Sequence, residues 1–466
     1  MVSRDADRVV VVLAAAILSL LLAGVLVLQQ STPAPALSLI TLDRDLPEEA
    51  ETALAEVPPS LPLVDAEDVP VPTPTAVPAP TTQPTPVVTA APTPQPAAVT
   101  GPSFPSPIRG VWVHVLDGTL LTRGSIEAML DDVVNAGGNT VVVEVARRYD
   151  SYYASDFLDR GQDAGFEPGL DVLQAVIDGA APRGLSVHAW FTAMPAWQPE
   201  TANTPEPHNW TYTQHGAPAP DDQKWLTRSA TGEWGEYLDP GHPDVQNLVI
   251  ATAAELATYD VDAVHVDYLR YPGAEWGYNP VALGRFQAET GRTDIPAPSD
   301  QQFSDWRRQQ TTDIAIRMRE AVQQVDPTVG VSAALIAWGD GPVNGRVFEQ
   351  TPAWSQVFQP WPQWMAAGII DVAMPMVYFR ESRHASFHRN WMSYIAGLRQ
   401  ATGVMTAPGQ GSWLNDVDQS LLQLTEAAPF MDGEVLFSYQ QTAAGEDPKA
   451  LLPALAGSLW SRTPAS

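Results

Sequence analysis

From residue 108 onward, short β-branched runs alternate with longer stretches patterned for amphipathic helices, and no other feature constrains the fold as strongly. The strand-like runs are 108–115, 139–146, 185–193, 261–268, 329–335, 370–379, 403–409 and 434–440. Helical patterning occupies 125–136, 170–183, 243–259, 304–325, 391–401, 416–428 and 448–460. A helix between two strands makes them parallel, because a tight hairpin joins only antiparallel ones. Eight such units within 108–466 favour closure into a (β/α)8 TIM barrel over an open sheet, with long insertions after the third and fourth strands.

The N-terminal region has a different composition. Residues 9–28 form an uncharged run of 20 apolar or small residues, long enough to cross a bilayer core. Arg4 and Arg8 precede it and no basic residue follows until Arg44, so residues 1–8 are expected in the cytoplasm and the rest outside, with a single-pass anchor in the cell membrane. A cleaved signal peptide is the competing reading, with a weak small-residue site near 31–36. Residues 29–107 read as a disordered spacer rich in Pro, Thr and Ala, since 58–107 alone holds 16 prolines in 50 residues.

The balance of 25 basic against 54 acidic side chains, a net charge of −29, repels nucleic acid. The chain has no cysteine, which excludes disulfides, thiolate metal sites, a catalytic thiol and a lipid-modified cysteine. Nothing in the sequence calls for a cofactor, and it carries no signal for oligomeric state.

In a barrel of this kind the active site sits where the strands end, so polar residues late in strands matter most. Side chains alternate along a strand. His265 and Asp267 therefore share a face on the fourth strand, as do Trp112 and His114 on the first and His188 and Trp190 on the third, while Glu144 points inward on the second. All are expected to converge on one rim. A pair of carboxyls there, Asp267 and Glu144, is what glycoside hydrolysis needs: one protonated to release the leaving oxygen, the other ionised as nucleophile or base. The plainer reading is that both carboxyls only satisfy the histidines and Arg147, Arg148 and Arg270. Metal ligation by His114, His188 and His265 is disfavoured, because no His-x-His or His-Glu-x-x-His pair occurs.

The chain has 15 Trp and 12 Tyr, and many fall outside the strands: Trp197, Trp210, Tyr212, Trp225, Trp234, Tyr237, Tyr271, Trp276, Tyr278, Trp338, Trp354, Trp361 and Trp364. Such a set suits a groove that stacks on sugar rings, although pinning long loops onto the barrel would use the same residues.

Five segments, taken together and in order, carry a family resemblance: 109–113 (RGVWV), 188–190 (HAW), 237–243 (YLDPGHP), 264–272 (VHVDYLRYP) and 371–378 (DVAMPMVY). On these the chain resembles the glycosyl hydrolase-like 10 family of bacterial cell-envelope proteins. The resemblance implies a TIM-barrel glycosidase, with Asp267 as the matching strand-four aspartate and His188, His265, Arg270 and Tyr378 as polar lining. It also implies the glycan of peptidoglycan, freed of stem peptides, as a substrate. Two features depart from the family: Tyr268 stands where many relatives have a second acid, and there is no cysteine to carry a lipid. The second carboxylate is left open, with Glu144 ranked before Glu381, Asp340 and Asp239.

The expectation is thus a membrane-tethered, extracytoplasmic glycoside hydrolase with Asp267 as nucleophile or base and Glu144 as acid. Substrate contacts would come from His114, His188, Trp190, His265, Arg270, Tyr271, Trp338 and Tyr378. The alternatives are a non-catalytic carbohydrate-binding barrel and a metal-dependent deacetylase or amidase.

Overall fold

A computed structural model describes residues 101–461 apart from 116, 117, 196, 198–206, 446 and 448. The expected cytoplasmic tail, the anchor and the spacer up to residue 100 lie outside the described residues. Among the described residues no helix is long and apolar enough to cross a membrane.

Eight parallel strands close on themselves. They are β1 (Ile108–Val113), β2 (Thr140–Arg147), β3 (Ser186–Thr192), β4 (Ala263–Asp267), β5 (Gly330–Ile336), β6 (Val372–Val377), β7 (Gly409–Gly411) and β8 (Gly433–Phe437). Each pairs with the next in sequence, and β8 pairs with β1 through Ile108↔Gly433 to Val111↔Leu436. All eight lie within or against the runs read from the sequence. The seventh run is split, since Met405–Thr406 also pairs with β6 before Pro408, which lacks the N–H a ladder needs.

The outer ring consists of α1 (Arg123–Asn135), α2 (Val172–Ala180), α3 (Pro243–Leu256), α4 (Gln301–Val325), α5 (Trp361–Ala366), α6 (Glu381–Thr402), α7 (Val417–Ala427) and α8 (Leu451–Ala456). Side-chain N-caps start several of them: Thr122 accepts Ser125 N–H, Asp171 accepts Gln174 N–H, Asp300 accepts Phe303 N–H and Asp416 accepts Gln419 N–H. The six-residue α5, not evident in the sequence, begins Trp-Pro and buries Trp361, Trp364 and Met365. The insertion after β3 carries the hairpin Leu226–Arg228 and Trp234–Leu238, and the one after β4 carries a helix, Pro280–Thr290.

Both faces of the strands are covered, which is why they read as near-continuous apolar runs. Val111, Val141, Val143, Val264 and Val266 are buried on one face, while Ile108, Trp112, Val142, Trp190, Val372, Met374, Ala407 and Val435 form a cluster on the other, inside the barrel. Phe104, in the stretch read as spacer, packs against that inner cluster. Gly330 makes room for it at the N-terminal end of β5, where a Cβ would lie 2.4 Å from the Phe104 ring. The folded region therefore begins before residue 108. Phe104→Ala should lower stability by about 2 kcal/mol, less than for a fully buried Phe because the ring is half-buried. Equilibrium denaturation of the two proteins measures this.

Candidate active site

The C-terminal ends of the strands bring together a set of buried polar groups. β2 bulges between Glu144 and Ala146 in its pairing with β3, which re-aims the strand at this level. Glu144 is fully buried, and its Oε2 accepts Val115 N–H at 3.1 Å, from the end of the first strand segment. His114 Nδ1 stands 3.6 Å from that oxygen, beyond hydrogen-bonding distance. The His114 ring lies 5.0 Å from Trp190 and meets Phe437 edge-on at 4.9 Å. Phe437 in turn faces Tyr378 at 5.3 Å and Trp413 at 5.4 Å.

Asp267 closes β4 and is 4% exposed. Its Oδ1 accepts Tyr268 N–H at 2.6 Å, and Tyr268 has a left-handed backbone (φ 55°), unusual for a bulky side chain. Burial pushes the Asp267 carboxyl up to about 7, and the neighbouring Glu144 carboxylate adds to this; Arg270, Tyr268 N–H and His114 oppose it. The Arg270 guanidinium is stacked among aromatic rings, 4.2 Å from Tyr268, 5.2 Å from Trp338 and 6.0 Å from Tyr237. Burial raises the Tyr378 hydroxyl well above its ordinary range, and Asp267 is among its charged neighbours.

Among the described residues, several of these buried polar atoms have no hydrogen-bond partner: both ring nitrogens of His114, Glu144 Oε1, Trp190 Nε1, Arg270 Nε and the Tyr378 hydroxyl. Each such atom costs about 1–3 kcal/mol when left unsatisfied in the interior. Their concentration at one end of the barrel is the arrangement expected of a binding site for a ligand rich in donors and acceptors.

Other residues chosen from the sequence lie elsewhere. His188 and His265 do not line the rim; both hydrogen-bond Ser332 Oγ in the barrel interior, at 2.9 and 2.8 Å. Strand register explains the difference. Thr192, not His188, is level with Asp267, and His188 is level with Ala263. His114 sits with Glu144, so the three histidines do not gather around one point. Tyr271 is buried against Phe358, edge-on at 5.6 Å, with Arg307 and Asp239 as its charged neighbours.

The alternative carboxylates are engaged in structural contacts. Glu381 pairs with Arg389 at 2.8 Å and accepts from Gln423, and Asp340 pairs with Arg346. Asp239 accepts from Gly241 N–H, Asn279 N–H and the Thr227 hydroxyl, and burial raises it to about 6. Many loop aromatics are pins: Trp225 stacks on His215 at 3.8 Å, Trp354 lies under Arg308 at 4.2 Å, and Trp361 and Trp364 are buried. Trp338 and Tyr237 remain beside Arg270. Trp413 and Phe437 are rim residues that the sequence reading missed. Phe437 was reachable by parity, being inward with Val435, whereas Trp413 follows β7 in a short 3-10 turn that no pattern announces.

The glycosyl hydrolase-like 10 profile matches residues 107–393, more than half of the chain. The chain belongs to this family. Among curated relatives, glycosyl hydrolase DigH of Escherichia coli K12 is 27% identical over 309 residues, covering 60% of this chain and 67% of DigH. Glycosyl hydrolase YngK of Bacillus subtilis 168 is 25% identical over 265 residues, covering 54% of this chain and 48% of YngK. Among solved structures, the PgaB (BpsB) glycoside hydrolase domain of Bordetella bronchiseptica aligns with a TM-score of 0.53 at 16% identity, over 75% of this chain and 98% of that domain. The β-amylase catalytic domain of Paenibacillus polymyxa aligns with a TM-score of 0.51 at 13% identity, over 74% and 96%. At such identities the likeness is one of fold, and the fold of this family member is the TIM barrel expected from its strand and helix pattern.

Proposed function

We propose that this barrel is a membrane-tethered, extracytoplasmic glycoside hydrolase that cleaves a polysaccharide, with the glycan strand of peptidoglycan as its substrate. The observation that carries the reading is the group of unpartnered buried polar atoms around Asp267 and Glu144. A sugar ring presents hydroxyls at closely spaced positions and apolar faces between them, which matches polar atoms interleaved with Trp190, Trp338, Trp413 and Phe437. Two relatives named glycosyl hydrolases support hydrolysis over mere binding. The 20-residue apolar run supports the tether, and the proline-rich segment between it and the barrel, reaching about 3.1 Å per residue when extended, suits a polymer lying beyond the membrane.

Asp267 serves as the general acid. A carboxyl raised to about 7 still holds a proton near neutrality and can give it to the leaving oxygen. Glu144 then serves as nucleophile or base through Oε1, the oxygen with no hydrogen-bond partner among the described residues. This exchanges the two roles suggested by the sequence. Arg270 and Tyr378 stabilise charge and orient hydroxyls.

The test is to incubate the purified chain with peptidoglycan glycan strands lacking stem peptides, and with a panel of other polysaccharides, and to analyse products by mass. New reducing ends from the peptidoglycan strands support the proposal. Tight binding without cleavage of any glycan replaces it with a carbohydrate-binding role. If Asp267 is the acid, kcat should fall about tenfold per pH unit above about 7, as the carboxyl loses its proton. A pH–rate profile flat to pH 9 removes Asp267 from that role.

A further inference from the structure

Below the rim, four buried side chains from four strands form one hydrogen-bonded chain across the barrel. Trp112 Nε1 lies 3.2 Å from His265 Nε2, His265 Nδ1 lies 2.8 Å from Ser332 Oγ, and Ser332 Oγ lies 2.9 Å from His188 Nδ1. All four are fully buried.

Satisfying the most buried donors sets the direction of this chain. An indole N–H only donates, so His265 Nε2 must accept and carry no proton. A neutral imidazole then holds its proton on Nδ1, and His265 donates to Ser332. The Ser332 hydroxyl accepts from His265, and among the described residues its own proton meets no acceptor other than His188 Nδ1, so it donates there. His188 must therefore carry its proton on Nε2. That nitrogen has no acceptor among the described residues, and the Phe104 ring lies beside the imidazole at 5.5 Å. Burial keeps both imidazoles neutral, with His188 lowered to about 3 and His265 well below its ordinary value.

We propose that Ser332 is a positioning residue for the candidate active site: by accepting from one histidine and donating to the other, it locks both tautomers and holds the Trp112 indole in place. Trp112 forms the floor of the site, edge-on to Phe437 at 6.0 Å, and Phe437 packs against both His114 and Tyr378. Gly409 accommodates the same indole, since a Cβ there would lie 2.8 Å from its ring. His265 also precedes Asp267 by two residues on one face of β4, so a rotated imidazole displaces the acid as well. The catalytic consequence rests on the glycosidase reading; the tautomers do not.

The experiment has two arms on the full chain. The first labels histidine with ¹⁵N and records long-range ¹H–¹⁵N correlations, assigned by single His→Gln replacements. His265 is expected as the pure Nδ1–H form and His188 as the pure Nε2–H form. The second measures turnover of the cleaved glycan by Ser332→Ala and Ser332→Thr. Ser332→Ala should release the His188 tautomer into a mixture and lower kcat about tenfold with KM within twofold, as a small displacement of reacting groups does. Ser332→Thr keeps the hydroxyl and should retain the tautomers and at least half of kcat. Reversed or mixed tautomers in the unmodified protein overturn the proposal, as does Ser332→Ala with kcat within twofold. If Ser332→Ala does not fold, the unmodified spectrum and Ser332→Thr carry the test. If no glycan is cleaved by the unmodified protein, the glycosidase reading fails, and the spectrum alone still upholds or overturns the tautomer lock.

Discussion

Asp267→Asn should reduce turnover of an unactivated glycan about 10³-fold while glycan affinity stays within about threefold. The amide matches the carboxyl in size and can still accept Tyr268 N–H, so the turn after β4 is kept. It cannot deliver a proton to the leaving oxygen, and general acid catalysis contributes about 10²–10⁴-fold, here equivalent to roughly 4 kcal/mol of barrier. Two further measurements distinguish the acid from its partner. A substrate whose leaving group is already acidic, such as a nitrophenyl glycoside, should largely bypass the defect in Asp267→Asn. It should not rescue Glu144→Gln, which lacks the nucleophile or base. Rescue of Glu144→Gln and not of Asp267→Asn would return the two residues to the roles read from the sequence.

The same variant has a stability signature with a definite sign. The folded carboxyl titrates near 7, above about 3.9 for an unfolded aspartate, so the fold prefers it protonated. Its favourable contribution is complete below about pH 4 and is lost as pH rises through about 7. The gap between the folded and unfolded carboxyl is worth roughly 4 kcal/mol. Asn cannot ionise, so Asp267→Asn should match the unmodified protein near pH 4 and become more stable, with a higher Tm, at pH 7–8. Glu434 and Asp239, also raised by burial to about 7 and about 6, are common to both proteins and cancel in the comparison.

Arg307→Ala should destabilise the fold by on the order of 4 kcal/mol, read as a lower denaturation midpoint with an unchanged slope. Arg307 is fully buried on α4 and lies against the rings of Phe303 at 4.3 Å and Phe358 at 3.8 Å. Its Nη1 donates to the carbonyls of Ala274 and Trp276 at 2.6 and 2.7 Å, and Nη2 donates to the Pro298 carbonyl at 2.8 Å. One side chain thus satisfies three carbonyls of the insertion after β4, all of them outside its helix Pro280–Thr290. Burial lowers the guanidinium to about 10, still charged at neutral pH. Truncation leaves the carbonyls unsatisfied and opens a cavity, each with its own penalty. Proteolysis should then begin within 272–300. A variant as stable as the parent would show that the insertion is held elsewhere, the aromatic cluster of Tyr278, Phe286, Phe303 and Trp306 being the remaining tie.

Local pattern carried the barrel. Eight β-branched runs, seven of them followed by helix-patterned chain, admit few other closed solutions, and parity alone set Trp112, Glu144, His188, Trp190, His265 and Asp267 on inward faces. Parity does not report height along the barrel axis. Height depends on how each strand is registered against its neighbours, a non-local property that places His188 level with Ala263 and Thr192 level with Asp267. The two histidines that looked like substrate ligands are therefore interior groups joined through Ser332, a residue with no conspicuous sequence signal. Burial is equally non-local. Asp267, Asp239, Asp340 and Glu381 are all carboxylic acids in a sequence, and only the packing around them leaves Asp267 raised to about 7 beside Glu144 while Arg346 and Arg389 pair with Asp340 and Glu381. Architecture and inward-facing positions follow from side-chain periodicity, which is local; which inward residues meet follows from register and desolvation, which are not.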